Sequence, residues 1–506
     1  MDSVIEKVLT NGKIQNIQTI LIIIVFGFQN SFIFIFPFLF KINYYCLEKN
    51  NIYKECSKND YCMNYYNNNL NLNKSKINYD LFNFTNKFNL YCNNEIYIKI
   101  YLLIYLISTI LFLFYFSYLC DKYGRLKLYK KLIFLISINY FLLLIVNSRI
   151  ILLIIFILFG ITNSIILLTS IFIIENLNRD YLGIINGLSV AFTIILSFIG
   201  FIFLKFFNIE FYFFILFLGS FSLYFLNKKY LHESPHWLIC KNRINECLDL
   251  FQLISNYNNR KEEFDKINQE RYGSDVIKII ETTDNFFQVF FYSSQKKRLI
   301  IHCFLWFCLG ITSGFYIIKN KNLIIIYIIM LFSSIISGYL ADIYGRRKIV
   351  ILSFYVSSII LFTYSLLPKS HILKYLIHYL IPFLTSTIYT ILFIFSSEDF
   401  PTSIRGVVFG NFIILFFFGF LICYFIKNEI VNIFLAFLNS ICGRLSENLE
   451  ETLDLLLDDE VPESQNKMPF RKKEYREYKI KRKSTLSDLY FLTSDDETFN
   501  REQIPI

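Results

Sequence analysis

Long runs of apolar residues, separated by short polar segments, recur from one end of the chain to the other. Crossing the hydrocarbon core of a bilayer as an α-helix takes about 20 apolar residues. The runs that meet or approach this length lie near 19–40, 98–120, 131–147, 150–174, 183–205, 210–227, 299–318, 322–341, 348–367, 373–396, 407–426 and 429–443. We therefore predict an all-α membrane protein with 12 transmembrane helices, of which the last is short.

An internal repeat divides these spans into two groups of six. The segment Asp121-Lys122-Tyr123-Gly124-Arg125 follows the second span, and Asp342-Ile343-Tyr344-Gly345-Arg346-Arg347 follows the eighth. Each is followed by a glutamate that closes a span, Glu175 or Glu398, with Arg179 or Arg405 just beyond. A third echo relates Glu233-Ser234-Pro235 to Leu445-Ser446-Glu447. The repeat predicts two pseudo-symmetric six-helix bundles.

The distribution of Lys and Arg predicts the orientation. Basic loops follow the second and the eighth spans, and loops rich in Lys and Arg stay on the cytoplasmic side. The first span has no small-residue cleavage site after it, so we interpret it as a helix and not as a signal peptide. The predicted domains are a cytoplasmic N-terminus over 1–18, an N-terminal bundle over 19–227 with an extracellular loop over 41–97, a cytoplasmic linker over 228–298, a C-terminal bundle over 299–443 and a disordered cytoplasmic tail over 444–506.

Composition agrees with a membrane protein. The chain of 506 residues is 55% hydrophobic and only 18% charged, which excludes a soluble or a disordered protein. Much of the net charge of +10 follows from membrane topology, so we expect the lipid bilayer and not nucleic acid as partner. Phe and Tyr number 58 and 36, so the position of an aromatic residue is more informative than its type.

The predicted extracellular loop carries covalent chemistry of its own. It contains Cys46, Cys56, Cys62 and Cys92, and four cysteines on an oxidising face allow two disulfides in any of three pairings. Asn73 and Asn83 each begin an Asn-x-Ser/Thr acceptor for glycosylation. We expect a glycoprotein of the plasma membrane.

Charged residues at the ends of the repeated spans predict a latch that forms and breaks. Transporters built from repeats expose a central site alternately to the two sides of the membrane. Acidic groups and arginines can pair across the interface of the halves, and glycine permits a sharp turn beside them. The predicted gating residues are Asp121, Gly124, Arg125, Glu175, Arg179, Asp342, Gly345, Arg346, Arg347, Glu398 and Arg405.

Several motifs carry a family resemblance. The segment from Gly338 to Lys348 resembles the signature of the major facilitator superfamily, and its first-half counterpart has Ser117 where the family has glycine. Glu398-Asp399-Phe400-Pro401-Thr402-Ser403-Ile404-Arg405 resembles a motif of the organic cation/anion transporter family within it. Glu233-Ser234-Pro235-His236-Trp237-Leu238 resembles another, with His236 in place of arginine. The resemblance implies the major facilitator fold and alternating-access transport of small organic ions, driven by the substrate gradient or the membrane potential.

Two alternatives stay open. A sugar porter shares the superfamily signature and would carry hexoses or polyols, but the spans 183–205 and 299–318 contain no glutamine to bind hydroxyl groups. A receptor or scaffold that transports nothing would have no need of a latch in both halves. We expect no enzyme activity, no cofactor and no metal site, and the oligomeric state stays undetermined.

The spans contain few charged residues that could bind a substrate. Without a buried counter-ion, a cation would be held by aromatic faces, and the family places aromatic residues of helices seven and ten in the cavity. Candidate substrate contacts are Trp306, Tyr389, Asn30 and Asn411, and the sign of the substrate charge stays open. His302 and His378 are titratable groups within spans, but the sequence suggests no carboxylate that would couple transport to protons.

Overall fold

The computed structural model describes residues 12–40, 44–47, 53–55, 75–77, 84–90, 92–177, 181–241, 243–259, 293–319, 323–368, 372–425 and 431–453. We label the membrane helices α1 (Lys13–Leu39), α2 (Ile96–Tyr123), α3 (Arg125–Ile145), α4 (Arg149–Thr162 and Ile165–Asn176), α5 (Leu182–Phe206), α6 (Ile209–Tyr230), α7 (Ser293–Lys319), α8 (Leu323–Tyr344), α9 (Arg346–Leu366), α10 (Ile372–Glu398), α11 (Arg405–Phe425) and α12 (Val431–Ser446).

The all-α prediction is confirmed. Among the described residues, 11 helices are long and apolar enough to cross a membrane, and the apolar helix α12 follows them with 16 residues. The arrangement fits the predicted 12 helices in two bundles, with a short last helix.

Helix packing repeats between the halves. In the first half α1 packs against α5 and α3 against α6, and in the second half α7 packs against α11 and α9 against α12. Across the halves, α2 packs against α11 and α5 against α8. These two contacts are equivalent because α2 corresponds to α8 and α11 to α5. The repeat seen in the sequence is therefore a repeat of packing.

A turn interrupts α4 near its middle, between Thr162 and Ile165. There the backbone hydrogen bonds span three residues and not four. Ser164 N donates to Ile161 O over 3.3 Å, and Ile166 N donates to Asn163 O over 3.1 Å. Such tight turns within a helix often mark a hinge or strain. The sequence predicted one continuous span here.

The segment between α1 and α2 contains a small antiparallel sheet that the sequence did not predict. Its strands β1 (Tyr44–Leu47), β2 (Tyr53–Glu55) and β3 (Ser75–Ile77) lie in the order β2-β1-β3. A short helix, Phe84–Lys87, and a 3-10 turn, Cys92–Glu95, lead into α2. The side chains of Cys46, Cys56 and Cys62 and the acceptors Asn73 and Asn83 fall outside the described residues, so the disulfides and the glycosylation stay predictions.

Two helices, Pro235–Cys240 and Ile244–Tyr257, follow α6 in the predicted linker. The first begins with proline at its first position, and Ser234 Oγ accepts a hydrogen bond from Trp237 N, which satisfies a helix-end donor. Trp237 packs with Phe251 and with Ile14 near the start of α1 in a small apolar cluster. Part of the linker is thus helical and attached to the first bundle.

Candidate functional site

Glu175, near the end of α4, joins two arginines from opposite halves of the chain. Its Oε1 atom lies 3.3 Å from Nη2 of Arg125 on α3 and 2.8 Å from Nη1 of Arg405 on α11. All three side chains are buried. Arg125 also donates through Nη2 to the carbonyl oxygen of Thr402, over 3.0 Å. Because removing one partner would leave a buried charge uncompensated, this cluster holds the two halves together at this end.

Asp121 caps a helix of the opposite bundle. Its carboxylate accepts hydrogen bonds from Gly406 N at 3.3 Å and from Val407 N at 2.9 Å, at the start of α11. A negative charge at a helix N-terminus is favourable because the first N–H groups have no partner within the helix. Within its own bundle, Asp121 lies 3.4 Å from Nη2 of Arg125. The aspartate therefore bridges the bundles mainly through backbone N–H groups.

Asp342 repeats this arrangement in the second half. It accepts hydrogen bonds from Gly183 N and Ile184 N at the start of α5, each over 2.9 Å. Arg346 lies 3.5 Å from Asp342 and 3.4 Å from Glu398, which ends α10. We use "charged end" for the helix ends that carry Asp121, Glu175, Asp342 and Glu398. The structure brings these predicted gating residues together at one end of both bundles.

The glycines of the two repeated segments make the predicted sharp turns. Gly124 separates α2 from α3 and Gly345 separates α8 from α9, each with φ of +100°. Residues that carry a Cβ atom rarely adopt this backbone conformation. In addition, a Cβ atom would lie 2.5 Å from Glu233 Oε2 at Gly124, and 2.5 Å from Glu451 Oε2 at Gly345. A larger residue at either turn would be strained and would displace a carboxylate.

Those two carboxylates cap the helices that follow the turns. Glu233 accepts from the backbone N–H groups of Arg125 and Leu126 at the start of α3, at 3.1 Å each. Glu451 accepts from Arg346 N over 2.8 Å and Arg347 N over 3.2 Å at the start of α9. Burial raises the pKa of Glu233, whereas Arg125 and the backbone N–H groups lower it.

The third echo predicted from sequence was therefore displaced by four residues. Glu451, and not Glu447, occupies the position equivalent to Glu233. Glu447 instead accepts from Tyr355 Oη over 2.7 Å, and its carbonyl oxygen accepts from Arg347 Nη2. The sequence suggested Glu447 because it lies in a Leu-Ser-Glu segment.

Arg179 falls outside the described residues, so its role stays a prediction. By the repeat, it corresponds to Arg405, and Glu398 corresponds to Glu175. Glu398 accepts a hydrogen bond from Thr452 Oγ1 over 2.6 Å in addition to its contact with Arg346.

Small residues let the two bundles approach closely beside the charged end. A Cβ atom at Gly183 on α5 would lie 2.4 Å from Gly338 O on α8, and one at Gly338 would lie 2.3 Å from Gly183 O. In the other contact between the bundles, a Cβ atom at Gly410 on α11 would lie 2.4 Å from Ser117 Cβ on α2. Ser117, the departure from the family pattern, thus fits because its partner is glycine.

An aromatic cluster surrounds Trp306 on α7. The indole is fully buried, and its Nε1 atom donates to Ser396 Oγ over 3.1 Å. Ring centroids within 6.2 Å of it belong to Tyr389, Phe393, Phe409 and Phe416. We call these five residues the aromatic cluster. The structure thus joins Trp306 and Tyr389, two predicted substrate contacts.

The aromatic cluster reaches the interface of the bundles. Phe393 on α10 lies edge-on to Phe26 on α1, with 6.0 Å between centroids. Near it, Asn186 Nδ2 on α5 donates to Thr390 O on α10 over 2.7 Å. Phe393 precedes Glu398 by five residues and Phe409 follows Arg405 by four, so the cluster begins one to two helical turns from the charged end.

Asn30 and Asn411 bond mainly within their own helices. Asn30 Nδ2 donates to Phe26 O over 2.9 Å, and Asn411 Nδ2 donates to Val407 O over 2.7 Å. Each side-chain amide therefore donates to the backbone carbonyl oxygen four residues earlier in its own helix. Their assignment as substrate contacts stays a prediction.

Sequence comparison gives the family. The family model described as Major Facilitator Superfamily matches residues 19–424. The chain belongs to this superfamily. It is therefore a multi-pass membrane transporter of a small molecule and not an enzyme. Comparison with curated proteins gives no significant match.

Among solved structures, the transporter is similar to the MFS proton:xylose symporter XylE bound to 6-bromo-6-deoxy-D-glucose. The TM-score is 0.58 at 14% sequence identity, over 88% of this chain and 97% of that chain. At this identity, the similarity shows the fold alone.

Sequence reasoning missed a buried acid beside the charged end of this transporter. Asp399 directly follows Glu398, and its Oδ2 atom lies 3.1 Å from His302 Nε2. Its Oδ1 atom lies 3.1 Å from Nη1 of Arg298. One signal was available, since Arg298 and His302 are four residues apart and share a face of α7.

Proposed function

We propose that this transporter carries a small organic ion, and that the aromatic cluster favours a cation. The observation that carries the proposal is the cluster of Trp306 and the four aromatic rings around it, which reaches Phe26 of the opposite bundle. The interaction of a cation with one aromatic face contributes about 0.5–2 kcal/mol of binding free energy. Several faces at one bundle interface would therefore bind an organic cation without a carboxylate.

The placement of charged residues supports this reading. Among the described residues, the Asp, Glu and Arg residues that are buried as whole residues are Asp121, Arg125, Glu175, Arg346, Asp399 and Arg405. All six lie at the charged end or directly beside it, whereas the aromatic cluster is apolar apart from the Trp and Tyr polar atoms. A substrate at the cluster would meet ring faces before any formal charge.

The charged end would act as the gate of the alternating cycle. Contacts between bundles at this end include the two aspartate caps and the Glu175–Arg405 pair. They would stabilise the state that is closed at this end, and they would separate when it opens. The positive-inside rule places this end in the cytoplasm, so the structure would correspond to a transporter closed on that side.

The test is uptake into proteoliposomes of labelled organic cations, organic anions and hexoses, with and without an imposed membrane potential. We expect uptake of at least one cation, faster when the interior is negative. Trp306→Leu should reduce the apparent affinity for the cation about 5- to 30-fold, from the loss of 1–2 kcal/mol. Trp306→Phe, which keeps a ring, is the matched control and should lose less. Uptake of anions alone, or equal effects of the two substitutions, would contradict the proposal.

Sugar transport is the second candidate, and one observation favours it. Gln29 Oε1, Asn139 Oδ1 and Asn163 Oδ1 are buried acceptors in the first bundle that have no hydrogen-bond partner among the described residues. Buried amides of this kind could pair with the hydroxyl groups of a polyol. Uptake of hexoses that Gln29→Leu abolishes and Trp306→Leu leaves intact would establish this candidate in place of the first.

We further propose that the transporter lies in the plasma membrane, with disulfides and glycans on the extracellular loop. The acceptors at Asn73 and Asn83 support this placement because glycans are added on the luminal or outer face. A shift in electrophoretic mobility after glycosidase treatment, absent in the Asn73→Gln/Asn83→Gln variant, would test it.

A further inference from the structure

His302 lies in a buried charged cluster that the proposed function leaves unexplained. The imidazole on α7 is fully buried, and its Nε2 atom faces Oδ2 of Asp399 at 3.1 Å. Arg298, one turn earlier on α7, lies 3.1 Å from Asp399 Oδ1 and 3.3 Å from Glu450. The other ring nitrogen, Nδ1, is buried and has no hydrogen-bond partner among the described residues.

The chemistry of this arrangement is that of a proton acceptor. A neutral imidazole donates through one ring nitrogen and accepts through the other. With a carboxylate facing Nε2, the proton of the neutral ring resides on Nε2, which leaves the Nδ1 lone pair available. A proton that binds Nδ1 gives an imidazolium whose charge faces Asp399. The cluster then holds two cations, Arg298 and His302, and two carboxylates, Asp399 and Glu450.

Exposure decreases stepwise from solvent towards the imidazole. The exposed fraction of the side chain is 57% for Glu450, 17% for Arg298, 3% for Asp399 and 0% for His302. Acidic and basic groups thus lead from the surface to Nε2 of the buried imidazole. The other rings near His302 are apolar: Phe395 on α10, Phe400 beyond it and Phe412 on α11. No further charge faces the imidazole from those contacts.

His302 also lies near both parts of the proposed transport machinery. Phe400, whose ring centroid lies 5.8 Å from that of His302, accepts hydrogen bonds from Arg405 through its carbonyl oxygen. Arg405 is the arginine that reaches Glu175 in the opposite bundle. In the other direction, His302 lies one helical turn before Trp306, which begins the aromatic cluster. A change of charge at His302 would therefore act next to the gate and next to the proposed substrate site.

We propose that Nδ1 of His302 binds the proton that this transporter couples to substrate movement, with Asp399 as the counter-ion and Arg298 as the residue that positions Asp399. This inference rests on the proposed transport of a small molecule, but not on which molecule is carried. In one state of the cycle the proton binds Nδ1, and in the other it leaves for the opposite side. The proton leaves a hydronium ion on one side, forms an N–H bond at Nδ1, and returns to water on the other side when that bond breaks. An imidazole suits this task because its second ring nitrogen can gain and lose a proton while the first keeps its hydrogen bond.

The first test measures proton movement in the wild-type protein. The protein is reconstituted into proteoliposomes, and a potassium ionophore holds the membrane potential at zero. An enclosed dye reports the internal pH while the transported substrate is added outside. We expect a pH change that depends on substrate. An imposed gradient of about one pH unit should change steady-state accumulation of substrate by up to about tenfold, which is the limit for one proton per substrate. The proposal would be overturned if neither the internal pH nor the accumulation of substrate changed.

The second test assigns the proton to His302. In His302→Gln and in Asp399→Asn, the ratio of uptake with and without the pH gradient should fall to about one. His378→Gln is the matched control, because His378 also lies among aromatic rings but about 30 Å away along α10 from Asp399. It should keep the wild-type ratio. If His302→Gln, monodisperse after purification, keeps the wild-type ratio, the assignment is wrong.

Failure of this inference differs from failure of the proposed function. Uptake of an organic cation that does not respond to pH would leave the proposed function intact and refute the proton site. Proton-coupled uptake of a hexose would leave the proton site intact and refute the proposed transport of an organic ion.

Discussion

Removing the carboxylate of Asp342 should open the charged end. The two hydrogen bonds from Gly183 N and Ile184 N, each of 2.9 Å, join α8 to α5 across the bundle interface. A hydrogen bond to a charged group contributes about 1.5–3 kcal/mol, so the pair contributes roughly 3–6 kcal/mol. Because water satisfies these groups in the open state, we take the lower value of about 3 kcal/mol. Asp342→Ala should then shift the closed-to-open ratio about 150-fold towards open.

Distances between spin labels measure this shift. Lys127 on α3 and Lys348 on α9 are exposed, occupy equivalent positions in the two bundles and can carry labels after replacement by cysteine in a background without reactive native thiols. We expect Asp342→Ala to add or enlarge a longer-distance population. Glu246→Ala is the control, since Glu246 pairs with Arg243 at 2.5 Å but is 54% exposed, and exposed pairs contribute little.

An unchanged distance distribution in Asp342→Ala would refute the reasoning. It would mean that the aspartate cap contributes nothing to closure of the bundles. The same variant separates a transporter from a receptor, because a transporter should lose flux while it keeps most of its substrate binding.

Three further predictions concern the charged end. Arg405→Gln should destabilise the protein by about 3–5 kcal/mol, because Glu175 would stay buried with Arg125 as its remaining arginine partner. Thermal unfolding in detergent measures this loss. A melting temperature equal to that of wild type would contradict the prediction. Gly345→Ala should lower both stability and flux, because φ is +100° and the new Cβ atom would meet Glu451, whereas alanine at a glycine in ordinary helical conformation should cost much less. Since burial raises the pKa of Glu233 above its ordinary value, folding favours the protonated acid, so stability should fall as pH rises from that ordinary value through the raised one; Glu233→Gln should flatten this part of the stability profile, and an unchanged slope would refute the role of Glu233.

The sequence contained enough to predict the fold and the location of the charged end. Apolar runs are long and recur, and length alone identifies helices in a membrane. The Asp-x-x-Gly-Arg segments appear twice, so Asp121 and Asp342 could be recognised as equivalent before their contacts were known. Gly124 and Gly345 were predicted to turn sharply, and both have positive φ.

What the sequence could not predict were contacts between residues distant along the chain. The aspartates were expected to pair with arginines across the interface. Across it they instead accept hydrogen bonds from backbone N–H groups, which every residue type except proline offers and which no motif identifies. The equivalence of Glu451 and Glu233 was obscured by the nearer Glu447. Asp399 was passed over because only the folded chain places it next to His302.

Counterflow tests the central claim most directly. Proteoliposomes are loaded with unlabelled substrate, and uptake of a trace of labelled substrate from outside is followed over time. A single site that two rocking bundles expose alternately predicts that internal substrate accelerates uptake and drives a transient accumulation of label, and that Asp342→Ala abolishes it. Label that enters at the same rate with empty and with loaded vesicles would contradict alternating access through this pair of bundles.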